Sequence, residues 1–392
     1  MTSSLAERAR AAGIDAGLTA VGFCTADPFD AVRVALEERR AAGVSADMQF
    51  TYRNPARSTD PTRSLEGARS IVAAALAYAA LVPEPEREPD RVTGPRGRVA
   101  RYATVDHYAV LRAGLDAVAE VLEADGHRTR VLADDNAQVD RAVAHRAGLG
   151  WWGKNANLLV PGHGSWVVLG GVITDAELPP AEAPVDDGCG TCRRCLEGCP
   201  TGAIVAPGVV DARTCLAWLV QAPGMIPIEH RVAMGDRIYG CDDCQEVCPP
   251  SRVAIRPASS TGRAPSSPAS APVSGQSTVD LVSMVVGVDD ELLERYGRWY
   301  VPRRDPAALR RNALVALGNV GDPDDPDVQG ALRSALAHPN GIVRAHAVWA
   351  ARRLGLDVLL VAVARDDDPL VVDELAVASG VAPLGTGADP VL

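Results

Sequence analysis

Lysine is almost missing from this chain: of its 39 basic residues, every one but Lys154 is an arginine. An excess of positive charge is missing too. Fifty acidic residues leave a formal net charge of -11, which excludes a uniformly basic surface built to grip nucleic acid but leaves room for a local basic patch. No long apolar run exists. The longest, residues 71–82, falls short of the roughly 20 residues that span a bilayer as a helix, and reads as a buried strand or core helix. The first 13 residues place Glu and Arg within an Ala-rich helical pattern and lack the apolar core of a secretory signal. A cytoplasmic protein without a membrane partner is therefore expected. Nine cysteines are too few to staple 392 residues with disulfides, and eight of them crowd between Cys189 and Cys248. Such clustering points to metal, and a reducing compartment suits free thiolates.

What is present divides into four zones. Residues 1–180 alternate apolar runs, at 70–82 and 166–174, with helical stretches at 108–125 and 138–148, the mixture of an α/β or α+β domain. A Pro/Arg/Glu-rich interruption, residues 83–98, reads as an exposed loop. Residues 181–250 hold the cysteines among many Gly and Pro, with little regular structure legible, so bound ligands would organise them. Residues 251–279 read as a flexible linker or loop, since 251–277 contain eight Ser, four Pro and no acid. Residues 280–392 are helical in pattern. Asp305 and Pro306 start a helix that stops at 318–321, Asp327 opens a second that runs to Pro339, a third spans about 342–355, and 369–378 adds a shorter one. That punctuation suits helical hairpin repeats, with a plain helical bundle as the alternative. The fold class expected overall is α+β.

The cysteines carry the strongest signal. Cys189, Cys192, Cys195 and Cys199, followed by Pro200, form C-x2-C-x2-C-x3-C-P, in which three close thiolates cap one cubane and the fourth reaches a neighbouring cluster. The second half is Cys215, then Cys241, Cys244 and Cys248 before Pro249, with 25 residues separating Cys215 from Cys241. Crossed ligation then assigns Cys189, Cys192, Cys195 and Cys248 to one [4Fe-4S] cluster and Cys199, Cys215, Cys241 and Cys244 to a second. Structural zinc on C-x2-C knuckles is the competing reading, but it does not require the x3-C-P ending twice. Cys24, on an apolar stretch far from the array, reads as a small buried hydrophobe.

Paired clusters move electrons, so the N-terminal domain should hold an accepting centre. Residues 132–159, LADDNAQVDRAVAHRAGLGWWGKNANLL, join an acid pair to a helix and a Gly-rich, Lys-bearing turn. That turn matches neither G-x-x-x-x-G-K-S/T nor G-x-G-x-x-G, so nucleotide triphosphate hydrolysis is not indicated.

Several longer stretches carry a resemblance. They are LEGARSIV at 65–72, AGLGWWGKN at 147–155, GSWVVLGGVITD at 164–175, the array from Cys189 to Pro200, IYGCDDCQEVCP at 238–249 and RRNALVALGN at 310–319. In that order they resemble the epoxyqueuosine reductase family, cobalamin-dependent iron-sulfur enzymes of tRNA queuosine biosynthesis, over nearly the whole chain. The resemblance implies an N-terminal cobalamin-binding domain at 1–180, a ferredoxin-like module at 181–250, and a HEAT-like, tRNA-contacting domain at 280–392. It implies cobalamin and two [4Fe-4S] clusters as cofactors, the tRNA anticodon region and an external low-potential electron donor as partners, and no protein histidine on cobalt. A monomer is expected. It places the family's catalytic aspartate on Asp134, with Asp135 the adjacent alternative, as the acid that protonates the departing epoxide oxygen. Burial would have to raise the pKa of that acid. It further implies that Lys154 and Asn155 lie in the cofactor pocket, while His107 and Tyr108 read either as hydrogen-bond donors in that pocket or as surface or packing residues at the start of the helix 108–125. The chain departs from the family's pattern at Asp135-Asn136-Ala137 and at Asp106-His107-Tyr108, both within this region.

Between residues 295 and 311 stand six arginines, Arg295, Arg298, Arg303, Arg304, Arg310 and Arg311, against Asp305 alone, a local net of +5 with Trp299 and Tyr300 among them. Such a run suits phosphates and bases, or else is a solvated helix face. Two other functions stay open at this point: corrinoid iron-sulfur reduction of a small molecule, and a non-catalytic electron carrier.

Overall fold

A computed structural model describes residues 3–79, 94–255 and 277–377. The chain forms two compact units, and compactness groups it differently from four consecutive zones. The first unit takes residues 1–83, 104–215 and 242–275, and the second takes 84–103, 216–241 and 276–392.

The first unit is built on a four-stranded sheet in the order Ala20–Thr25, Ser70–Ala77, Val167–Thr174, Thr129–Ala133. Every pairing in it is antiparallel, with Ser70 opposite Thr174 and Ala77 opposite Val167 at the centre, so of the two classes expected the sheet is α+β. Both faces are covered. The helix Asp140–Arg146 packs on one, where Ile71, Ala73 and Ala75 join Val143 in the core, and the long helix His107–Ala124 packs on the other. That is why the two central strands read as continuous apolar runs instead of alternating ones. Local chemistry sets the helix starts: Ser4 and Glu7 form a capping box before Leu5–Asp15, and Asp106 accepts the Ala109 amide at 2.9 Å before His107–Ala124.

The second unit sets a three-stranded ribbon, Arg237–Tyr239, Arg96–Val99 and Thr278–Asp280, with a run of helices. The helices Ala307–Val320, Pro326–Leu336, Gly341–Arg353 and Pro369–Ala376 stand where the punctuation puts them, opened by Asp325, Asn340 and Asp368 as caps on the last three. Ala307–Val320 lies close against Gly341–Arg353. A Cβ at Gly318 would come within 2.7 Å of the Trp349 ring. The strand Arg96–Val99 takes up the end of the stretch expected to be a loop, and the rest of that loop that falls at 80–93 lies outside the described residues. Likewise, the expected linker lies outside them over 256–276, while its two ends are regular: the helix Pro249–Ala254 and the strand Thr278–Asp280.

The basic run of residues 295–311 does not survive folding as one patch. Arg310 and Arg311 are buried at 5% and 1% exposure. Arg310 pairs with Asp289 at 2.6 Å, and Arg311 donates to the carbonyls of Ala222 and Gly224, each at 2.6 Å. A charge drawn into a core is held by the acceptors that surround it. Four arginines, Arg295, Arg298, Arg303 and Arg304, stay exposed, together with Tyr300. Among the described residues no helix is long and apolar enough to cross a membrane.

Candidate functional site

Seven of the eight clustered cysteines, all but Cys241, belong to the first unit. All eight are of intermediate exposure. Burial raises the pKa of Cys195, and the sulfurs of Cys248, Cys189 and Cys192 raise it further. Burial likewise raises Cys248; hydrogen bonds from the Ser251 amide and hydroxyl oppose it, and Cys189 and Cys192 add to it. Four sulfurs close enough to repel are thus the four of the first crossed set, drawn together although Cys248 is 53 residues beyond Cys195. Among the described residues no three His, Cys, Asp or Glu side chains close on a single-ion position. A cubane asks for something different, one thiolate on each of its irons, and the donor set of this segment fits it. Cys199 accepts the Ala203 amide at 3.2 Å.

Several hydrogen bonds tie the segment to the N-terminal residues, the Ala212 amide to the Val44 carbonyl at 2.8 Å among them, and two of the places lie beside the cysteines. Ser251 is fully buried. Its hydroxyl accepts the Ser165 amide at 3.1 Å and its carbonyl accepts Trp166 Nε1 at 2.9 Å. The chain passes so close there that a Cβ at Gly164, where φ is +59°, would sit 2.5 Å from Ser251 Cα. The second place is the turn after the two tryptophans. Lys154 Nζ donates to the carbonyls of Gly190 at 2.6 Å and Cys192 at 2.9 Å, and Asn155 Nδ2 reaches the Cys244 carbonyl at 3.4 Å. Both residues were expected beside the cofactor that accepts electrons. Their polar ends are engaged on the cysteine loops.

A separate group of charges collects where the strand Thr129–Ala133 ends. Asp134 follows it in a left-handed conformation, φ +53°, a strain of about 1–3 kcal/mol for a residue with a Cβ. The surroundings of Asp134 raise its carboxyl pKa, chiefly by desolvation, with Asp106 and Asp135 adding and Arg112 opposing. The side chain nevertheless keeps an exposed face, so solvent screens part of that effect and the carboxyl stays reachable. Arg112 also donates to the Ala133 carbonyl at 2.8 Å. Asp135 has an oxygen committed to the Ala137 amide at 2.8 Å, in a turn.

Asp140 joins this group without any signal in the sequence beyond its place in the first turn of a helix. Burial pushes its carboxyl up to about 7, Asp134 and Asp135 add to the shift, and Gln138 and Arg141 oppose it. Gln138 Nε2 donates to Asp140 Oδ1 at 2.9 Å, while Gln138 Oε1 is buried without a partner among the described residues. Arg141 faces Tyr52, Asp140 and Tyr108, and its Nη1 donates to the Ala156 carbonyl at 2.6 Å. Ala156 is itself left-handed, φ +62°, in the turn that carries Lys154 and Asn155. Beside Asn136 of the same loop opens a cleft of about 370 Å³, lined also by Phe50, Arg53, Asn54 and Arg57.

The two pocket residues expected at the start of the long helix part company. Tyr108 is half-buried near Arg141. His107 is 1% exposed and lies flat on Tyr78, ring centroids 5.0 Å apart. Cys24 is buried, its thiol pushed up to about 12 by desolvation, as a small core residue should be.

Residues 188–251 match a 4Fe-4S double cluster binding domain, and residues 58–135 match the family described as "Epoxyqueuosine reductase QueG, DUF1730". An epoxyqueuosine reductase of Bacillus anthracis is 31% identical over 368 residues, 92% of each chain. Among solved structures, epoxyqueuosine reductase from Bacillus subtilis, with an aspartate-bearing catalytic loop swung out of its active site, has a TM-score of 0.78 at 28% identity, covering 96% of this chain and 97% of that one. An epoxyqueuosine reductase crystallised with an epoxyqueuosine-modified tRNA stem loop has a TM-score of 0.79 at 29% identity, with the same coverage.

Proposed function

The chain belongs to the epoxyqueuosine reductase family, and from that premise we propose that it converts epoxyqueuosine at the tRNA wobble position to queuosine, with electrons passed through two [4Fe-4S] clusters to cobalamin. The single observation that carries this reading is the acid loop. An aspartate in strained backbone, with a raised carboxyl and one open face, belongs to the same compact unit as the cysteines of the first cluster. Loss of an epoxide oxygen as water consumes two electrons and two protons. An electron carrier has no need of the acid.

Asp134 is the residue that delivers a proton to the departing oxygen. Its raised carboxyl keeps that proton to higher pH than an ordinary aspartate does, and Arg112 stabilises the carboxylate left behind. Asp135 serves the turn that aims it. The related Bacillus subtilis enzyme, whose catalytic loop bears an aspartate and swings, supports the assignment. Cys189, Cys192, Cys195 and Cys248 hold one cluster, and Cys199, Cys215, Cys241 and Cys244 the other. Cobalamin, when bound, supplies the reducing power at the epoxide carbon. The cleft beside Asn136, with the amides of Asn54 and Asn136 and the guanidiniums of Arg53 and Arg57, fits its amide-rich periphery, and Tyr108 and Arg141 lie near the acid group. The wobble base has to leave the anticodon stack to reach such a site.

The helices from residue 307 onward pair in the manner of a HEAT-like module, and the exposed Arg295, Arg298, Arg303 and Arg304 meet RNA phosphates. A monomer working in the cytoplasm, fed by an external low-potential donor, completes the reading. The test is nucleoside mass spectrometry after anaerobic incubation of the cobalamin- and iron-loaded protein, plus reductant, with tRNA carrying epoxyqueuosine. Queuosine should appear. Protein with eight irons and bound cobalamin that leaves the nucleoside unchanged would transfer the assignment to reduction of another substrate.

A further inference from the structure

The one lysine of the chain is spent on the backbone of a cysteine loop. Its ammonium bridges the carbonyls of Gly190 and Cys192, and its own carbonyl accepts the Gly208 amide at 2.9 Å, so the residue is held from both ends within the cysteine segment. Among the described residues no carboxylate pairs with it. Every other cation in the sequence is an arginine, yet two carbonyls that converge on a point suit a compact ammonium with rotatable donors better than a planar fork.

From this geometry we infer that Lys154 is a positioning residue whose charge raises the reduction potential of the cluster held by Cys189, Cys192, Cys195 and Cys248. The inference rests on the ligand set proposed above. Reduction adds one negative charge to a group that already carries four thiolates. A positive charge hydrogen-bonded directly to the loop that supplies three of them stabilises the reduced state more than the oxidised one, against the carboxylate of Asp187, which accepts the Cys189 amide at 2.8 Å on the same loop. On the loop of the second set stands a neutral group instead, the Asn155 amide on the Cys244 carbonyl. Two centres of the same chemistry are thereby separated in potential by what stands on their loops.

The test is an EPR-monitored redox titration of the full-length, iron-loaded protein, with iron content measured on each sample. In Lys154→Gln one of the two cluster signals should need a more negative poise, its reduced-to-oxidised ratio at fixed potential falling about tenfold, or 59 mV for a one-electron couple. The other signal should stay in place, and Lys154→Arg, which keeps the charge in a less suited shape, should shift less than Lys154→Gln. Lys154→Gln with eight irons and an unmoved potential would overturn the inference and leave Lys154 as a neutral clamp. If Lys154→Gln instead loses iron, Lys154→Arg decides. Eight irons near the wild-type potential support the charge, whereas loss of iron from Lys154→Arg as well shows that clamp geometry alone matters. Wild-type protein without iron would sink the ligand set itself, and clusters present without queuosine formation would sink the substrate while leaving the potential measurement intact.

Discussion

Seven of the eight clustered cysteines and the acid group around Asp134 belong to the same compact unit but are specified in opposite ways. The cysteine segment forms short elements that the sequence did not show, among them Arg194–Glu197, Ile204–Ala206 and Ile228–Met234, and its ligands announce themselves by spacing, because a cubane takes most of its thiolates from a short loop. The acid group is assembled by the sheet. Asp106, Arg112, Asp134, Asp135 and Asp140 come from a helix start, a helix, a strand end and a second helix start, and only the fold makes them neighbours. Metal ligation can be written locally, whereas a tuned proton donor needs surroundings.

The largest effect that tests this contrast is loss of a ligand. Cys248→Ser should lose one cluster, seen as four irons fewer per chain and no queuosine formed, while Cys24→Ala keeps all its iron, because its thiol is a core group. Next in size, Asp134→Asn should lower turnover by about 10² to 10⁴ with iron content unchanged in the same assay. A fall in iron would show that the two regions are not separately specified. Arg311→Met probes placement by the fold in the second unit. It strips the carbonyls of Ala222 and Gly224 of their donor and should destabilise that unit by about 3 kcal/mol, as buried acceptors left unpaired cost about 1–3 kcal/mol each; urea unfolding measures it.

Asp140 gives a smaller, pH-dependent effect. Its carboxyl is pushed from 3.8 to about 7, so between those values the folded chain holds a proton that the unfolded chain releases. Stability from this group is complete below about pH 4 and declines as pH rises toward 7. Asp140→Asn should remove that decline and unfold later than wild type above pH 7 in thermal melts. The smallest effect belongs to Arg303→Gln with Arg304→Gln, which should reduce the salt slope of tRNA binding by about 1 per contact without touching stability. An equal change from Arg311→Met in protein still folded would restore the basic run as a single patch.

Much of this was legible beforehand. Gly318–Gly321 and the Asp-Pro pairs marked the C-terminal helices because caps and breakers act over three or four residues. The crossed grouping of Cys248 with Cys189, Cys192 and Cys195 followed from ligand logic. Asp134 came from resemblance. Asp140 looked like any acid in a first helical turn, and nothing short of the packed sheet shows that Gln138 and Asp134 stand beside it. Arg310 and Arg311 misled in the reverse direction: six arginines adjacent in sequence made one patch only on paper, since the helix Ala307–Val320 turns that pair inward. Lys154 was visible as an oddity of composition, but its partners lie 36 and 38 residues away.

The carbonyl of Ala156 has a consequence in mechanical terms. Arg141, one residue from Asp140, grips that oxygen, and the left-handed kink at Ala156 makes a stiff arm only two residues long between the grip and Lys154. One short turn thus carries a hydrogen bond from the helix that follows the acid loop and, two residues earlier, the ammonium that holds the cysteine loop.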